Sequence, residues 1–325
     1  MPKVTVAIPT YNRAHYLKEA IESVLAQTFK DYELLILDNA STDNTEEVVK
    51  SFDDARIRYI KNEINIGGIN NFNKALDMAK GEYVIIFHDD DIMKPELLEK
   101  EVEILDKNDD VVLVATNISI INKRGMILKQ REKELDNDII FEKYDFIYKL
   151  FKENFVLPCP TVMLRTDFIN RNNIRFRPEI GPNADGYMWM EINLYNKKIL
   201  FLHEPLLMYR HHEGQDSSNN FLDRNIKGYQ YALKLIKENK LEYIIPYLKK
   251  NATYYLISVL SNKLAYGYIK RDDFKRYIDK LKEEEFWIND IKVSYKLRLF
   301  LSYYCPIIAI ILHKVKMIIT NQKYY

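Results

Sequence analysis

The sequence has few of the residues that define several protein classes. Its 9 glycines and 10 prolines among 325 residues exclude a collagen-like or linker-rich chain. Two cysteines, Cys159 and Cys305, are too few for a disulfide scaffold and are typical of a reducing compartment. The 48 basic side chains barely exceed the 47 acidic ones, so the net charge of +1 argues against nucleic acid as a partner.

Long apolar segments and common nucleotide-binding motifs are missing too. The longest apolar run, 306–312, is far shorter than the roughly 20 residues of a membrane-spanning helix. The first residues, MPKVTVAIPTYN, lack a signal-peptide core, so we expect a cytoplasmic protein. The chain contains no GxGxxG loop, P-loop, GxSxG or HExxH motif. A nucleotide-using enzyme with this sequence must therefore hold its nucleotide in another way.

The chain does contain a regular alternation of strand and helix patterns. With 47% hydrophobic and 29% charged residues, its composition is globular. Predicted strands are 4–8, 34–37, 57–60, 83–87, 111–115, 161–164 and 199–202, and predicted helices are 14–28, one from 45, 69–80, one from 95, and 185–196. This order predicts an α/β fold with a mostly parallel sheet. After about residue 220 only helical patterns remain.

Polar side chains follow three of the predicted strands. The first strand ends in PTY, the second in Asp38, and the fourth in HDDD. Ligands of an open parallel sheet bind beyond the carboxyl ends of its strands, so these clusters should meet at one edge. Successive carboxylates repel one another without a cation, and hard divalent ions commonly bridge carboxylates to phosphates. The pattern predicts a metal–diphosphate ligand, with Asp38 nearby as an acceptor for a base or ribose donor.

Four segments in order resemble family 2 glycosyltransferases of the GT-A fold, over about residues 3–218. They are VAIPTYNRAHYLKEAIESVLAQT, ELLILDNASTDNT, NIGG…NKALDMAKGEYVIIFHDDD and YRHHEGQDS. The resemblance implies a nucleotide-sugar donor, usually a UDP-sugar, and Mn²⁺ or Mg²⁺. It implies that Pro9, Thr10 and Tyr11 line the base pocket and that Asp38 accepts the uracil N–H. Asp89 would then bind the ribose.

The same resemblance implies the metal site and the catalytic base. Asp90, ranked first, and Asp91 would ligate the metal, and His212 of the YRHH segment would complete the site. Asp185 in PNADGYMWMEI matches the general base of inverting members, which takes the proton of the acceptor hydroxyl. Arg210 would be structural or would pair with phosphate.

The chain departs from the family pattern at three positions. His88 stands at the first Asp of the DxDD motif, so the roles of the three aspartates that follow are not separable from sequence. Phe72 replaces the usual basic residue beside the Asn that matches Asn73. Ala184 replaces the usual Glu before the expected base.

Simpler structural roles are open for several of these side chains. Asp38 could form an Asx turn, and Asp91 and Asp185 could cap the helices that follow them. Trp189 could pack on a sugar face or in the core. His211 is expected to be a surface or packing residue, and Cys159 a packing residue.

The sequence is therefore predicted to be a metal-dependent inverting glycosyltransferase of cell-surface polysaccharide synthesis, acting on a glycan or lipid-linked acceptor. Alternatives are a sugar-phosphate nucleotidyltransferase and a non-catalytic carbohydrate-binding scaffold. The predicted domains are a GT-A catalytic domain at 1–219, with donor and acceptor halves at about 1–120 and 121–219, and a helical region at 220–325.

The last 35 residues carry a concentrated positive charge. Residues 291–325 contain six Lys or Arg and no acidic residue, mixed with apolar side chains and interrupted by Pro306. Basic residues around short apolar helices suit the interface of an anionic membrane. We expect either two short helices at the inner face of the cell membrane or packing of this tail on the catalytic domain or a second subunit of a homo-oligomer.

Overall fold

The computed structural model describes residues 1–130, 137–181, 183–212, 222–283 and 293–304. The strands are β1 Val4–Thr10, β2 Tyr32–Asp38, β3 Ile57–Lys61, β4 Tyr83–Ile86, β5 Ile92–Met93, β6 Val111–Asn122, β7 Ile127–Gln130, β8 Ile139–Phe141, β9 Met163–Arg165 and β10 Lys198–His211. The α-helices are α1 Ala14–Leu25, α2 Thr45–Lys50, α3 Gly68–Met78, α4 Leu97–Lys107, α5 Asp145–Glu153, α6 Thr166–Arg171, α7 Ala184–Ile192, α8 Leu222–Glu238, α9 Ile245–Ala265, α10 Arg271–Glu283 and α11 Val293–Tyr304. Short 3₁₀ turns occupy Cys159–Thr161 and Glu242–Ile244.

The strands form one sheet in the order β3-β2-β1-β4-β9-β6-β10-β5, with β7 on β6 and β8 on β10. The long pairings, β3 to β2, β2 to β1, β1 to β4 and β6 to β10, are parallel, whereas the short strands pair antiparallel. The predicted α/β class with a mostly parallel sheet is confirmed.

The chain divides into two compact units. The first comprises 1–147 and 155–218 and contains the sheet; the second comprises 148–154 and 219–325 and is helical where described. In the first unit the central strands β1, β2 and β4 are almost wholly buried, with Val6, Ile8, Leu34 and Ile36 at 0% exposure. Burial on both faces explains why these strands read as continuous apolar runs in the sequence.

Two strands are longer than the sequence predicted. β6 continues to Asn122 and β10 to His211, and the two pair along their lengths. The polar residues Thr116, Asn117 and Ser119 end the apolar run of β6, yet all three are buried. The Asn117 side chain donates to the His203 carbonyl, so strand pairing continues past the apolar residues.

Close approach of two backbones fixes the loop that leads into β4. A Cβ atom on Gly81 would lie 2.4 Å from the backbone nitrogen of Thr5. The Thr5 hydroxyl accepts hydrogen bonds from the backbone N–H groups of Lys80 and Gly81. Only glycine fits at this position, which follows the extended residue Ala79 at the end of α3.

In the helical unit, α11 covers 293–304, and residues 305–325, including the helix expected after Pro306, lie outside the described residues. Within the described part of the chain, no helix combines the length and apolarity needed to cross a bilayer.

Candidate active site

The register of the sheet brings the predicted donor-site residues to one edge. Thr10 at the end of β1 lies opposite Asp38 at the end of β2. On the other side of β1, the Phe87 N–H donates to the Ala7 carbonyl, and residues 88–91 follow directly. Pro9 and Thr10 are buried, whereas Tyr11 is 44% exposed at the rim.

Asp38 is completely buried, and both of its carboxylate oxygens accept hydrogen bonds. Oδ1 accepts the backbone N–H of Ser41 at 2.7 Å, so the local turn expected as an alternative role is present. Oδ2 accepts the Tyr59 hydroxyl at 2.6 Å, and the Lys61 ammonium lies 3.9 Å away. Burial and this carboxylate raise the pKa of Tyr59.

A network of asparagines, which the sequence analysis missed, supports this side of the site. Asn62 donates to the side-chain oxygens of Asn39 and Asn71 at 3.0 Å each. Asn39 donates to Asn65, and Asn71 donates to the Leu37 carbonyl. These bonds hold the loop after β3 against the end of β2. The available signal was the presence of six asparagines in residues 39–71, four of which form this network.

The acidic run after β4 is buried and is held by basic partners. Asp89, Asp90 and Asp91 are 5%, 4% and 1% exposed. The Arg13 guanidinium lies 2.6 Å from Asp90 Oδ2 and 3.3 Å from Asp89 Oδ1. The His212 Nε2 atom lies 2.9 Å from the same Asp90 oxygen. Arg13 was not predicted, although it lies within the first segment that resembles the family.

Burial and mutual repulsion perturb these carboxyl groups. Burial first, and then the charge of Asp90, raise the pKa of Asp89 to about 7. The same two causes raise the pKa of Asp91 well above its ordinary value. The site therefore holds more buried negative charge than the protein neutralises, which is the situation that a bound cation relieves.

The donor set fits a divalent metal. One ligand atom each from His88, Asp90 and Asp91 lies within 4.8 Å of the others. Asp91 Oδ1 accepts the backbone N–H of Arg210 at 2.8 Å, while its buried Oδ2 has no hydrogen-bond partner among the described residues. The capping role considered for Asp91 is wrong, because α4 begins at Leu97 with Glu96 in the capping position.

Arg210 has a structural role. It is 1% exposed, and its side chain donates to the Asp90 carbonyl at 2.7 Å and to the Glu19 carboxylate at 2.7 Å. The Arg210 side chain also donates to the carbonyls of Asn122 and Lys123. It thereby joins the acidic run to the end of β6.

Asp185 lies in the first turn of α7, and Asn183 rather than Asp185 occupies the capping position. The Asp185 carboxylate nevertheless accepts the backbone N–H of Gly186, so a contact with the start of the helix, the simpler role considered for it, is present. Burial raises the pKa of its carboxyl to about 6. Asp185 and Asp91 both raise the pKa of the buried Cys159 thiol. Asp185, Asp38 and the acidic run all lie in the first compact unit.

The structure also decides between the roles considered for Trp189 and places His211. Trp189 is 1% exposed and packs edge-to-face on Phe176 at 5.9 Å, so the sugar-platform role is wrong and the core role holds. His211 is exposed, as expected.

Comparison with known proteins decides the family. The sequence model of "Glycosyl transferase family 2" matches residues 5–171, about half of the chain. The chain belongs to glycosyltransferase family 2. An uncharacterized glycosyltransferase of Methanocaldococcus jannaschii is 32% identical over 73% of this chain and 79% of its own. The GalNAc(5)-diNAcBac-PP-undecaprenol beta-1,3-glucosyltransferase of Campylobacter jejuni is 35% identical over 65% of each chain.

Solved structures show the GT-A fold. The S. aureus TarS fragment 1-349 in complex with UDP-GlcNAc matches with a TM-score of 0.67 at 20% identity, over 92% of this chain and 87% of that one. The mannosyltransferase PcManGT of Pyrobaculum calidifontis, in complex with GDP-Man and Mn²⁺, matches with a TM-score of 0.55 at 17% identity, over 95% and 86%. The predicted family, fold and glycosyltransferase class are confirmed, which favours glycosyl transfer over both alternatives left open by the sequence.

Proposed function

We propose that this family 2 enzyme transfers a sugar, with inversion, from a UDP-sugar to a hydroxyl group of a lipid-linked glycan. The observation that carries the proposal is that Asp38 and the acidic run 89–91 meet at one edge of the sheet, in the same compact unit as Asp185. The complex of TarS with UDP-GlcNAc supports the donor class, and the undecaprenol-linked substrate in the name of the Campylobacter relative supports the acceptor class.

In this proposal the nucleotide is held at the edge formed by β1 and β2. Pro9, Thr10 and Tyr11 line the base pocket, and Asp38 accepts the uracil N–H. The hydrogen bonds from Ser41 and Tyr59 stabilise the charged form of Asp38 and fix its orientation, so the carboxylate is preorganised as an acceptor.

The diphosphate is held at the acidic run. Asp89 binds the ribose, and Asp90, Asp91 and His212 hold Mn²⁺ or Mg²⁺. The metal supplies positive charge for the diphosphate of the donor when it is bound. The Mn²⁺ in the PcManGT complex supports this role, as does the excess of buried negative charge at these residues.

Asp185 acts as the general base. The acceptor oxygen attacks the anomeric carbon on the face opposite the diphosphate, its proton passes to the Asp185 carboxylate, and the bond from the sugar to the diphosphate breaks. A carboxyl with a pKa near 6 is ionised at neutral pH and is a stronger base than an ordinary aspartate. The transfer rate should therefore fall about tenfold per pH unit below pH 6.

The decisive variant is Asp185→Asn. Turnover should fall roughly 10²–10⁴-fold while donor affinity stays the same, because only the proton acceptor is lost. Asp167→Asn on the exposed start of α6 is the matched control, and it should leave both quantities unchanged. Donor binding is measured by calorimetry, and the anomeric configuration of the product by NMR. A product with retained configuration would refute the proposed mechanism.

We further propose that the helical region at 220–325 contacts the membrane that carries the acceptor. In the described part of this region, α11 exposes Leu297, Phe300 and Tyr304, which share one helical face, next to the exposed Lys296. The triple serine variant of these apolar residues should lose co-sedimentation with anionic vesicles, and Tyr268→Ser, at another exposed aromatic, should retain it. If wild type stays in the supernatant and light scattering shows a dimer, the face serves a second subunit instead.

A further inference from the structure

The imidazole of His88 lies close to the carboxylates of the acidic run. It follows β4 directly, and its Nδ1 atom is 3.6 Å from Asp91 Oδ2. With Asp90 it completes the trio whose ligand atoms lie within 4.8 Å of one another. These distances leave room for one ion that contacts all three side chains, because metal–ligand bonds of about 2.0–2.3 Å place two ligand atoms less than 5 Å apart.

The oxygen that faces His88 is the one that the protein leaves without a hydrogen bond. Asp91 is 1% exposed, and its Oδ1 atom is taken by the Arg210 N–H. Its Oδ2 atom has no hydrogen-bond partner within the described residues. A buried carboxylate oxygen without a donor is costly, and a cation between it and the imidazole removes that cost.

The imidazole is supported by aromatic packing. The Phe72 ring contacts the His88 ring at 5.9 Å between centroids, and Phe72 packs edge-to-face on Phe176 at 5.5 Å. Phe176 in turn packs on the core residue Trp189. This chain of rings holds one side of the imidazole against the site, as the rigid neighbours of metal-binding histidines do.

The two departures from the family pattern are therefore neighbours in space. His88 stands at the first Asp of the acidic motif, and Phe72 stands at the usual basic position beside Asn73. An acidic and a basic side chain have been replaced by an imidazole and an aromatic ring that contact each other. At position 88 the chain therefore offers a nitrogen donor where the family pattern has an oxygen donor.

We infer that His88 ligates the metal of this site through a ring nitrogen, together with Asp90 and Asp91. The inference rests on the proposed function, in which a divalent metal binds at the acidic run. An imidazole ligand favours first-row transition ions over Mg²⁺, whereas an all-oxygen site does not. The enzyme therefore selects Mn²⁺ or Co²⁺ more strongly than it would with aspartate at position 88.

Pulsed electron paramagnetic resonance of the full chain loaded with Mn²⁺ tests the ligand directly, since a bound imidazole nitrogen gives a ¹⁴N modulation. His212 also lies beside Asp90, so the measurement is made in a His212→Asn background. We expect the modulation to persist in His212→Asn and to disappear in His212→Asn/His88→Asp. His211→Asn, at the exposed neighbour, is the control that keeps it. Loss of the modulation in His212→Asn alone, or its persistence in the double variant, would overturn the inference.

Metal selectivity gives a second readout that does not depend on turnover. His88→Asp should reduce the ratio of the Mg²⁺ to the Mn²⁺ dissociation constant by about tenfold, the lower end of the effect of altered metal surroundings. An unchanged ratio in a variant that melts cooperatively would overturn the inference. Mn²⁺ bound without a nitrogen ligand would refute only the role of His88, whereas no Mn²⁺ binding to wild type would refute the proposed metal dependence itself.

Discussion

Asp38 and the acidic run 89–91 are buried at the same edge of the sheet, and the protein treats them in opposite ways. Each oxygen of Asp38 accepts a hydrogen bond from a fixed donor, and a lysine stands nearby. The run has three carboxylates, and the pKa values of Asp89 and Asp91 are raised by burial and by the charge of Asp90.

This difference separates two kinds of binding site. At Asp38 both carboxylate oxygens have fixed donors within the protein, which suits the proposed role of this side chain as an acceptor for a base N–H. At the run, burial and the charge of Asp90 disfavour the charged forms of Asp89 and Asp91, which agrees with the proposed binding of a cation there. In the proposed function, the preorganised carboxylate recognises the base, and the carboxylates that repel one another bind the metal.

The largest expected effect comes from the acidic run. Asp90→Asn removes the carboxylate that contacts both Arg13 and His212, so transfer activity should fall by roughly 10²–10³-fold or more, as when one electrostatic stabiliser is lost. EDTA should have the same effect on wild type, and Mn²⁺ should reverse it. Full activity of a rigorously metal-free sample would show that the run is not a metal site.

A smaller effect is expected at Asp38. Asp38→Asn replaces a charged acceptor with a neutral one and should weaken donor binding by about 1.5–3 kcal/mol, or roughly 10–100-fold. Because Asp185 and the run are untouched, turnover at saturating donor should change little. Calorimetric titration with UDP-sugar measures the loss, and equal affinity in variant and wild type would sink the assignment of Asp38 to the base.

The comparison also predicts opposite effects on stability. Asp89 has a folded pKa of about 7 and an unfolded value near 3.8, so it destabilises the metal-free fold as the pH rises through that window. Asp89→Asn should therefore raise the melting temperature of the metal-free protein at pH 8 and change it less at pH 5. Tyr59→Phe, which removes a bond to Asp38, should lower it at both pH values by the equivalent of about 1–2 kcal/mol. Calorimetric scans in the presence of EDTA measure the melting temperatures of both variants. Shifts of the same sign in Asp89→Asn and Tyr59→Phe at pH 8 would contradict the proposed difference between Asp38 and the acidic run.

Much of the fold could be predicted from the sequence because its signals are local. Apolar runs such as 34–37, and the residues that follow them, mark the strands and the edge where ligands bind. The extensions of β6 and β10 could not be predicted, since they depend on pairing between residues about 90 positions apart, such as Ile121 with Arg210.

For the site, Asp38 and the acidic run could be selected from their positions after strands, and Asp185 from the resemblance to the family, but their partners could not be selected. Arg13, Tyr59 and the asparagine network contact these residues only after folding, so their roles are not visible in spacing. Trp189 was ambiguous because a tryptophan in a helix near an expected base suits a core and a sugar platform equally. Its packing on Phe176 decides the question, and this contact joins distant segments.

Glu101 is a buried carboxylate outside the candidate site, and its pKa is raised by burial without repulsion from a neighbouring charge. Glu101 in α4 is 0% exposed, neither of its oxygens has a hydrogen-bond partner in the described ranges, and burial alone raises its pKa well above the ordinary value. An acid with a raised folded pKa destabilises the fold as the pH rises past its unfolded pKa, so Glu101 lowers stability at pH 8 and does so only a little at pH 4.

The variant Glu101→Met keeps the side-chain volume and removes the charge. It should stabilise the fold by about 1–3 kcal/mol at pH 8 and by less at pH 4. The gain should be the same with and without Mn²⁺, and activity should be unchanged. Glu103→Met, at an exposed position of the same helix paired with Lys107, should give no such gain. Urea unfolding at both pH values measures the difference. If Mn²⁺ abolished the gain in stability from Glu101→Met, Glu101 would be part of the metal site. The distinction between the metal-binding carboxylates of the acidic run and a buried carboxylate that binds no metal would then be wrong.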